Sequence, residues 1–411
     1  MVRGFRARFL AWLTDDGAAK RSIPELLSAY CELLVANGLA IRRCNLATMT
    51  VHPQMAAIRH VWTDAPAPVA SINPAVIISR RQYRLGQGML DEVVFNAMNE
   101  TNPQYLASPF HRVEICGELC ERIAPLGDPQ PFPVFNDLAA QGCTGYFGVF
   151  LKSFEGIRQQ IGLATSLPGG FARTDRDALR WSIRLLTLHL NTLIEYEIKN
   201  TLARVFLGEE PGKRVCAGMI KLGEVVSLDA AIWFSDLRGF TEISEGMTSA
   251  KLVESLNQYF EAIVAPLYAH GGEVLKFVGD AVLAVFPAEQ HGGPAGACAA
   301  ALAARIEADR ALDALNVARL ESGEPNFAHG IALHYGEAQY GNIGSPLRLD
   351  FTLIGREVNV ASRIESLTKE AGEPLLLSEA FVAAGGIEAR AVGSFPVKGI
   401  AQPLALFVPA G

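Results

Sequence analysis

The chain has 411 residues, of which 50% are hydrophobic and 19% charged, and its formal net charge is −7. This composition is typical of a folded protein with two or three domains, and the negative charge argues against general nucleic-acid binding. Seven cysteines without a repeating spacing indicate free thiols in a reducing compartment. No stretch of about 18 uncharged apolar residues occurs, so we expect a soluble, cytoplasmic protein without a membrane span.

Residues 1–20 predict a helix with the apolar residues Phe5, Phe9, Trp12 and Leu13 on one face and several arginines nearby. Such a helix can dock on the next domain or touch anionic lipid, and we favour docking.

Residues 21–174 predict an antiparallel sheet with peripheral helices. A helix at 22–38 begins with Ser22 as its cap and ends at Asn37 and Gly38. The other predicted elements are strands at 44–51, 57–62, 75–79, 111–116, 146–151 and 159–164, and helices at 92–99 and 133–140. The order of these elements resembles a GAF-type sensor domain, which implies an input from an unknown small molecule or protein.

His111, Cys116 and Cys120 lie in one short window of this domain. Their side chains are potential zinc ligands, but the spacing fits no standard zinc signature and a fourth ligand is not evident. We therefore favour structural cysteines over a metal site.

Residues 175–224 predict a connecting helix and a linker. Within 175–207, leucine and isoleucine recur every three or four residues from Leu179 to Leu193, and Thr174 is a candidate cap. The stripe fits either the core of the sensor or the seam of a parallel two-helix coil. Polar residues after Glu195 favour a partly exposed helix that pairs across a dimer, and Gly208 to Gly212 mark the linker.

The last part of the chain, 225–411, is built around two acids that follow apolar runs. Asp236 ends the run Ala230 to Phe234, and Asp280 lies between two apolar runs in a Gly-Asp turn typical of a hairpin. If the hairpin pairs beside the first strand, the two carboxylates face each other. Apposed carboxylates of this kind are a hard oxygen site for Mg²⁺ or Mn²⁺ bound with phosphate.

Around these acids the pattern predicts strand 230–237, helix 250–270, hairpin 273–286, helix 295–320, hairpin 327–353 and helix 359–370. A strand, a short helix and a closing hairpin follow. This order contains βαββαβ, the ferredoxin-like unit, so the predicted class of the whole chain is α+β.

Four segments in this region, FSDLRGFT, LKFVGDAVLAVF, DFTLIGREVNVASRIE and PVKGI, resemble the successive signatures of the class III nucleotide cyclase catalytic domain. The resemblance covers 225–409. It implies an adenylate cyclase that converts ATP to 3′,5′-cyclic AMP and pyrophosphate with two Mg²⁺ or Mn²⁺ ions per active site. It also implies a head-to-tail homodimer in which each site takes residues from both chains.

The resemblance assigns roles to individual residues. The carbonyl of Leu237 joins Asp236 and Asp280 as a metal ligand, and Lys398 binds the triphosphate. Asn359 orients the ribose, and Arg363 stabilises the charge that grows on the α-phosphate. After Asp236, the turn at Gly239, Phe240 and Thr241 offers backbone N–H groups to the triphosphate.

Base recognition follows from donors and acceptors. Adenine presents an acceptor at N1 and a donor at N6, so Lys276 can donate to N1 and the hydroxyl of Thr352 can accept from N6. Guanylate-forming relatives typically carry Glu in place of Lys276, which disfavours a guanylate cyclase. The apolar neighbours Leu275 and Phe277 predict a buried strand, which argues against Lys276 being an ordinary solvated charge.

At Arg356 and Glu357 the chain departs from the family pattern of a small or acidic residue followed by Thr. We expect this change to affect the dimer contact or the approach to ribose, and hence rate and regulation. The alternatives to an adenylate cyclase are a catalytically weak nucleotide-binding regulatory dimer and a guanylate cyclase.

Overall fold

The computed structural model describes residues 4–49, 57–65, 77–95, 103–151, 158–219, 221–397 and 402–410, without the side chains of residue 49 and residues 241–243. The chain divides into two compact units, Met1–Leu202 and Ala203–Gly411. Across the described residues, no helix is both long and apolar enough to cross a membrane. The mixed α+β class predicted from the sequence is confirmed.

The first unit contains a seven-stranded sheet with the order β3-β4-β2-β1-β7-β6-β5. Its strands are β1 (Ile41–Met49), β2 (Ala57–Thr63), β3 (Ile77–Leu85), β4 (Gly88–Phe95), β5 (Glu118–Arg122), β6 (Gly145–Leu151) and β7 (Gln159–Thr165). All pairings in this sheet are antiparallel, so the predicted antiparallel sheet with peripheral helices is present. The comparison with a GAF-type sensor remains a prediction from the pattern.

One face of this sheet is covered by α1 (Phe5–Trp12), α2 (Ile23–Ala36) and the first two-thirds of α6 (Arg173–Leu207). Ser22 caps α2 by accepting a hydrogen bond from the backbone N–H of Glu25. In α1, Phe9 is fully buried and contacts the rings of Tyr30 and Trp181 edge-on. The N-terminal helix therefore docks on this domain, the use that we favoured.

The opposite face is covered over β5, β6 and β7 by α4 (Pro109–Cys116) and α5 (Val134–Ala140), while α3 (Pro103–Leu106) is a single turn. Val113 of α4 and Leu138 of α5 pack in one cluster with Tyr146 of β6.

Two predicted elements in this unit are wrong. The predicted helix at 92–99 is strand β4 as far as Phe95, and residues 96–99 lie outside the described residues. Gly86, whose φ is +59°, lies in the turn that joins β3 to β4, and β4 pairs with β3 along its whole length. Pairing with the neighbouring strand therefore makes this segment a strand rather than a helix. The predicted strand at 111–116 belongs to α4, because Ser108 caps this helix and Pro109 occupies its first position.

The apolar stripe of α6 belongs to the core of the first unit. Leu179, Ile183, Leu186, Leu190 and Leu193 are all buried there. Of the two interpretations of the stripe, the structure supports the sensor core. The helix begins at Arg173, so Thr174 lies inside it and is not its cap.

The predicted linker after α6 is mostly helical. Gly208, with φ of +97°, ends α6, and α7 (Glu209–Cys216) begins at once and contains Pro211 and Gly212. The proline lies within the first turn of α7, where its missing N–H is not needed.

The second unit contains an eight-stranded sheet with the order β14-β15-β13-β11-β8-β10-β9, and β12 pairs with β11. Its strands are β8 (Val225–Leu237), β9 (Glu273–Val278), β10 (Ala281–Pro287), β11 (His329–Ser345), β12 (Arg348–Ile354), β13 (Leu375–Ser378), β14 (Ala389–Phe395) and β15 (Leu404–Pro409). Its helices after α7 are α8 (Phe240–Glu245), α9 (Ser249–Ala269), α10 (Pro294–Glu321), α11 (Arg356–Ala371) and α12 (Glu379–Gly385).

The order β8-α9-β9-β10-α10-β11 is the predicted βαββαβ unit, and its strands lie in the order β11-β8-β10-β9. One core lies between this sheet and helices α9 and α10, with Trp233, Tyr259 and Phe286 fully buried. Helix α11 packs on the other face, where Ala361 and Ile364 are buried. The carboxyl ends of β8 and β9 meet at one edge, which places the candidate site.

Candidate active site

Asp236 and Asp280 lie side by side at this edge of the sheet. Asp236 is the next-to-last residue of β8, and Asp280 follows Gly279 in the turn between β9 and β10. The antiparallel pairing of β10 with β8 sets Val282 opposite Ser235, so the turn is held beside the end of β8. Gly279 has φ of +68°, a conformation that favours glycine. The structure therefore brings together the two acids singled out in the sequence.

The carboxylate of Asp280 makes ionisation of Asp236 less favourable. The pKa of Asp236 is raised to about 6, first by burial and then by the negative charge and hydrogen bonding of Asp280, although the backbone N–H of Leu237 opposes this shift. The Oδ1 atom of Asp236 is buried and has no hydrogen-bond partner among the described residues. A buried carboxylate oxygen facing a second acid fits a cation, because a cation would satisfy both groups.

Glu365 of α11 is a third acid near this pair, and the sequence reasoning missed it. Burial raises its pKa to about 7, and the charges of Asp236 and Asp280 add to the shift. Gly330, which pairs with Asp236, makes room for it, since a methyl group there would lie 2.6 Å from the Glu365 Oε1 atom. The signal was present, because Glu365 lies two residues after Arg363 on a helix that crosses this edge.

The donor set fits a divalent cation such as Mg²⁺ or Mn²⁺. Both acids supply hard oxygen ligands, and the Oδ1 atom of Asp236 is not engaged by any other described residue. In the described ranges no group of three His, Cys, Asp or Glu side chains converges as a metal site, which applies also to the window of His111, Cys116 and Cys120. Any cation held by Asp236 and Asp280 therefore needs further oxygen ligands from backbone, water or a bound phosphate.

The turn after Asp236 leads directly into a helix. Gly239 has φ of +67° and stands immediately before α8, which begins at Phe240. Thr241 lies in the first turn of α8, but its side chain is outside the described residues. The backbone of this segment therefore lies next to the acid pair, as the sequence predicted.

Lys276 lies on β9 and Thr352 on β12, and Thr352 pairs with Gly341, which lies opposite the start of β8, at the other end of that strand from the acid pair. Lys276 is an exposed residue of β9, and its Nζ atom donates a hydrogen bond to the carboxylate of Asp350 on β12. Thr352 lies two residues after Asp350 on the same strand and is half-buried. Asp350 is a second residue that the sequence reasoning missed, although it opens the segment that contains Thr352.

One supporting observation for Lys276 was wrong. We took its neighbours Leu275 and Phe277 to be buried, and Leu275 is, but Phe277 is 49% exposed. The ring of Phe277 lies 4.4 Å from that of Phe260, so α9 covers only one side of it. The outer end of β9 is an open strand edge rather than a buried strand.

Asn359 and Arg363 lie one helical turn apart on α11 and both are exposed. Neither makes a side-chain hydrogen bond or ion pair within the part of the chain that the structure describes. Lys398 lies outside the described residues.

The unusual pair Arg356 and Glu357 begins α11. The Oε2 atom of Glu357 lies 2.7 Å from Nε2 of the buried His334 on β11, and Nδ1 of His334 lies 2.7 Å from the hydroxyl of Ser378. Burial lowers the pKa of His334 despite the neighbouring carboxylate, so a neutral ring bridges the two groups. The departure from the family pattern therefore has a structural role, because Glu357 satisfies a buried histidine.

The fold and the acid pair define a βαββαβ domain with two apposed carboxylates at one end of its sheet. Residues 226–408 match the profile of the adenylate and guanylate cyclase catalytic domain. These residues therefore belong to the class III nucleotide cyclase catalytic domains, as the four motifs implied.

Individual relatives agree with this assignment. Adenylate cyclase 1 of Rhizobium meliloti is 35% identical over 184 residues, which are 43% of this chain and 27% of the relative. An adenylate cyclase of Anabaena cylindrica is 36% identical over 167 residues, 40% of this chain and 32% of the relative. The chain thus spans about a third or less of the length of these relatives.

Among solved structures, the adenylyl cyclase CyaB from P. aeruginosa is 29% identical, with a TM-score of 0.42, over 46% of this chain and 96% of that chain. The guanylyl cyclase Cya2 is 30% identical, with a TM-score of 0.40, over 46% of this chain and 95% of that chain.

Proposed function

We propose that the protein is an adenylate cyclase that converts ATP to 3′,5′-cyclic AMP and pyrophosphate. The observation that carries the proposal is the apposition of Asp236 and Asp280 at one edge of a cyclase-type domain. In the reaction the ribose 3′-oxygen attacks the α-phosphorus and pyrophosphate leaves, so the protein must mainly position the nucleotide and offset charge.

Asp236, Asp280 and the carbonyl of Leu237 would hold two Mg²⁺ or Mn²⁺ ions. When bound, such ions activate the attacking oxygen and neutralise the leaving phosphates. The chain itself contributes an oxygen-rich edge in which Asp236 is already partly desolvated. The backbone turn at Gly239 and Phe240 would lie along the phosphates, with Thr241 and Lys398 as further contacts.

Adenine recognition rests on Lys276 and Thr352. The ammonium group can donate to N1 of adenine, and the hydroxyl can accept from N6. Asp350 supports this role, since its carboxylate holds the Lys276 side chain over the strand that carries Thr352.

The active site would be completed by a second copy of the chain. Asn359 and Arg363 are exposed on α11 and are not engaged within the described part of their own chain, which suits residues that contact a nucleotide bound at a partner's acids. A head-to-tail homodimer would then have two such sites, in which Asn359 orients the ribose and Arg363 offsets the charge on the α-phosphate. The first unit would act as the sensor that regulates them.

The experiment incubates the full chain with Mn²⁺ and either ATP or GTP and measures both cyclic nucleotide and pyrophosphate. We expect ATP to give equal amounts of cyclic AMP and pyrophosphate. Asp280→Asn should reduce this rate at least about 100-fold, because it removes a charged ligand that is needed in the transition state. Asp313→Asn, which changes an exposed acid on α10, is the matched control and should leave the rate unchanged.

Three outcomes would reject parts of the proposal. Preferential turnover of GTP would identify a guanylate cyclase. Nucleotide binding without turnover by the wild-type chain would identify a regulatory dimer. Full activity of Asp280→Asn would remove the metal assignment.

A further inference from the structure

A group of polar side chains shares one face of the first sheet, the face opposite the core formed with α2 and α6. Side chains alternate between the two faces of a strand, so the pairing register defines rows across β2, β1 and β7. One row contains Arg59, Ala47 and Gln160, the next contains Val61, Asn45 and Gly162, and the third contains Thr63, Arg43 and Ala164. We call Arg43, Asn45, Arg59, Tyr146 and Gln160 the polar cluster.

Members of the polar cluster bury polar atoms that have no partner. Arg43 is 4% exposed, and Tyr146 and Gln160 are each 5% exposed. The buried atoms without a hydrogen-bond partner among the described residues are Nη1 of Arg43, Oδ1 of Asn45, Nε and Nη2 of Arg59, the hydroxyl of Tyr146 and Oε1 of Gln160. Buried polar atoms in folded proteins are nearly always hydrogen-bonded, so five neighbouring side chains with open positions point to a missing ligand.

Tyr146 reaches this cluster because two glycines lie beneath its ring. A methyl group at Gly162 would lie 2.2 Å from the Tyr146 hydroxyl, and one at Gly148 would lie 3.0 Å from the ring. The ring therefore lies across β6 and β7, and its hydroxyl points to the row of Asn45. Burial raises the pKa of Tyr146, so the hydroxyl is a neutral donor.

The two arginines bring positive charge to a buried surface. Burial lowers the pKa of Arg59 to about 10 and the charge of Arg43 contributes, but both groups remain cationic at neutral pH. The guanidinium of Arg59 lies 5.6 Å from the ring centre of Phe95. Asp91, an acid on the same face, is bonded to Arg80 instead. Guanidiniums with buried N–H groups that lack acceptors are well suited to hold carboxylates and phosphates.

We propose that the polar cluster is a binding site for a small organic anion, whose carboxylate or phosphate contacts Arg43 and Arg59. Tyr146 would donate a further hydrogen bond to the same group. The amides of Asn45 and Gln160 would bind polar groups on the rest of the ligand, so hydroxy acids, amino acids and nucleotides share the required chemistry. The site lies wholly within the first unit, and the proposal is independent of the catalytic activity of the second.

The test measures thermal unfolding of the full chain with inorganic phosphate or glycolate at about 50 mM, against sodium chloride of equal ionic strength. Phosphate and glycolate separate the two sources of negative charge. For a site that binds the probe with a Kd of about 1 mM, we expect the Tm to rise by about 5 °C. Arg43→Met and Arg59→Met should each abolish the rise with the preferred probe. Arg81→Met, an exposed arginine on β3, should preserve it.

The same variants give a second readout without any probe. Replacing a guanidinium that has buried, unpartnered N–H groups should leave the Tm unchanged or raise it, because the desolvation of the charge is relieved. If Arg43→Met does not fold, Arg59→Met alone decides, since Arg59 is only partly buried. The proposal is overturned if neither probe stabilises the wild-type chain beyond chloride. It is equally overturned if the arginine variants respond as the wild type does, because the anion would then bind elsewhere.

Discussion

Lys276 of β9 and Asp350 of β12 are joined by a hydrogen bond between the ammonium group and the carboxylate. Both side chains are about half exposed, so the pair contributes less than about 1 kcal/mol to stability. Its importance is positional, because it fixes the Lys276 side chain beside the strand that carries Thr352. Substitutions at the two residues should therefore affect the use of ATP more than they affect stability, and the effect should be larger at Lys276 than at Asp350.

We expect Lys276→Glu to reduce kcat/KM for ATP at least about 100-fold, because an acceptor would face N1 of adenine and a second negative charge would face Asp350. Asp350→Asn keeps the ammonium group and should raise KM only a few-fold. Steady-state rates with ATP and GTP check both variants. Unchanged ATP use by Lys276→Glu would show that base recognition lies elsewhere.

The proposed sharing of the active site predicts complementation. Asp236→Ala and Arg363→Ala should each be nearly inactive as homodimers, because each damages both sites. In a mixture, a heterodimer has one site that carries both changes and one that carries neither, so activity should return to at most half of the wild-type value per heterodimer. The measurement is cyclic AMP production after mixing. No recovery in a mixture whose subunits are shown to exchange would place the site within one chain.

The sequence predicted the second unit better than the first. Each predicted strand and helix of the βαββαβ unit is present, because long apolar runs and clear turns such as Gly279-Asp280 leave few alternatives. In the first unit, residues 92–95 were assigned to a helix although they pair with β3, and pairing between distant residues leaves no local signal. The helix α4 was missed because its start at Ser108 and Pro109 was not weighed as a cap.

In the candidate site, too, some residues were predicted from the sequence and others were missed. Asp236 and Asp280 were found because both follow apolar strands, and strand ends are visible in a sequence. The contacts of Glu365 and Glu357 were not predicted from the sequence, because they depend on how α11 packs over Gly330 and Gly336 of β11. The predicted burial of Phe277 failed for a related reason, because β9 is the last strand of its sheet.

Glu357→Thr, which introduces the residue type common in the family, should destabilise the second unit by about 1–3 kcal/mol. It removes the acceptor for the Nε2–H group of the buried His334. Glu357→Gln keeps an acceptor oxygen and should cost less. Denaturant unfolding of the three chains gives the comparison. Equal stability of Glu357→Thr and wild type would mean that His334 finds another partner.

Glu273 predicts a pH dependence of stability. This residue of β9 is 6% exposed, and its Oε1 atom accepts hydrogen bonds from the N–H of Glu210, at 2.7 Å, and from the Tyr340 hydroxyl, at 3.3 Å. Burial raises its pKa from 4.5 to about 7. The folded state therefore binds more protons than the unfolded state between these values, so this acid lowers the free energy of unfolding as pH rises from about 4.5 to 7.

Glu273→Gln should remove this fall in the free energy of unfolding with rising pH. Above pH 7 the variant should be more stable than the wild type by up to about 3 kcal/mol, and near pH 4.5 the difference should vanish. Denaturant unfolding at pH 5 and pH 8 checks the sign, with Glu321→Gln on an exposed position of α10 as the control. A variant that is less stable at pH 8 would show that the ionised carboxylate is required by Glu210 and Tyr340.

Helix α6 is the element through which the proposed sensor would act on the catalytic domain. It is continuous from Arg173 to Leu207, its apolar stripe is buried in the first unit, and its last turns belong to the second. A rotation of this helix would change the orientation of the catalytic domains, and misplacement by about 1 Å can cost 100-fold in rate.

Inserting one residue after Asn200 turns everything downstream by about 100°, whereas inserting seven nearly restores the original direction. We therefore expect the single insertion to change basal cyclic AMP production sharply and the insertion of seven to recover most of the wild-type rate. Equal rates in both insertions and the wild type would show that α6 is a passive tether.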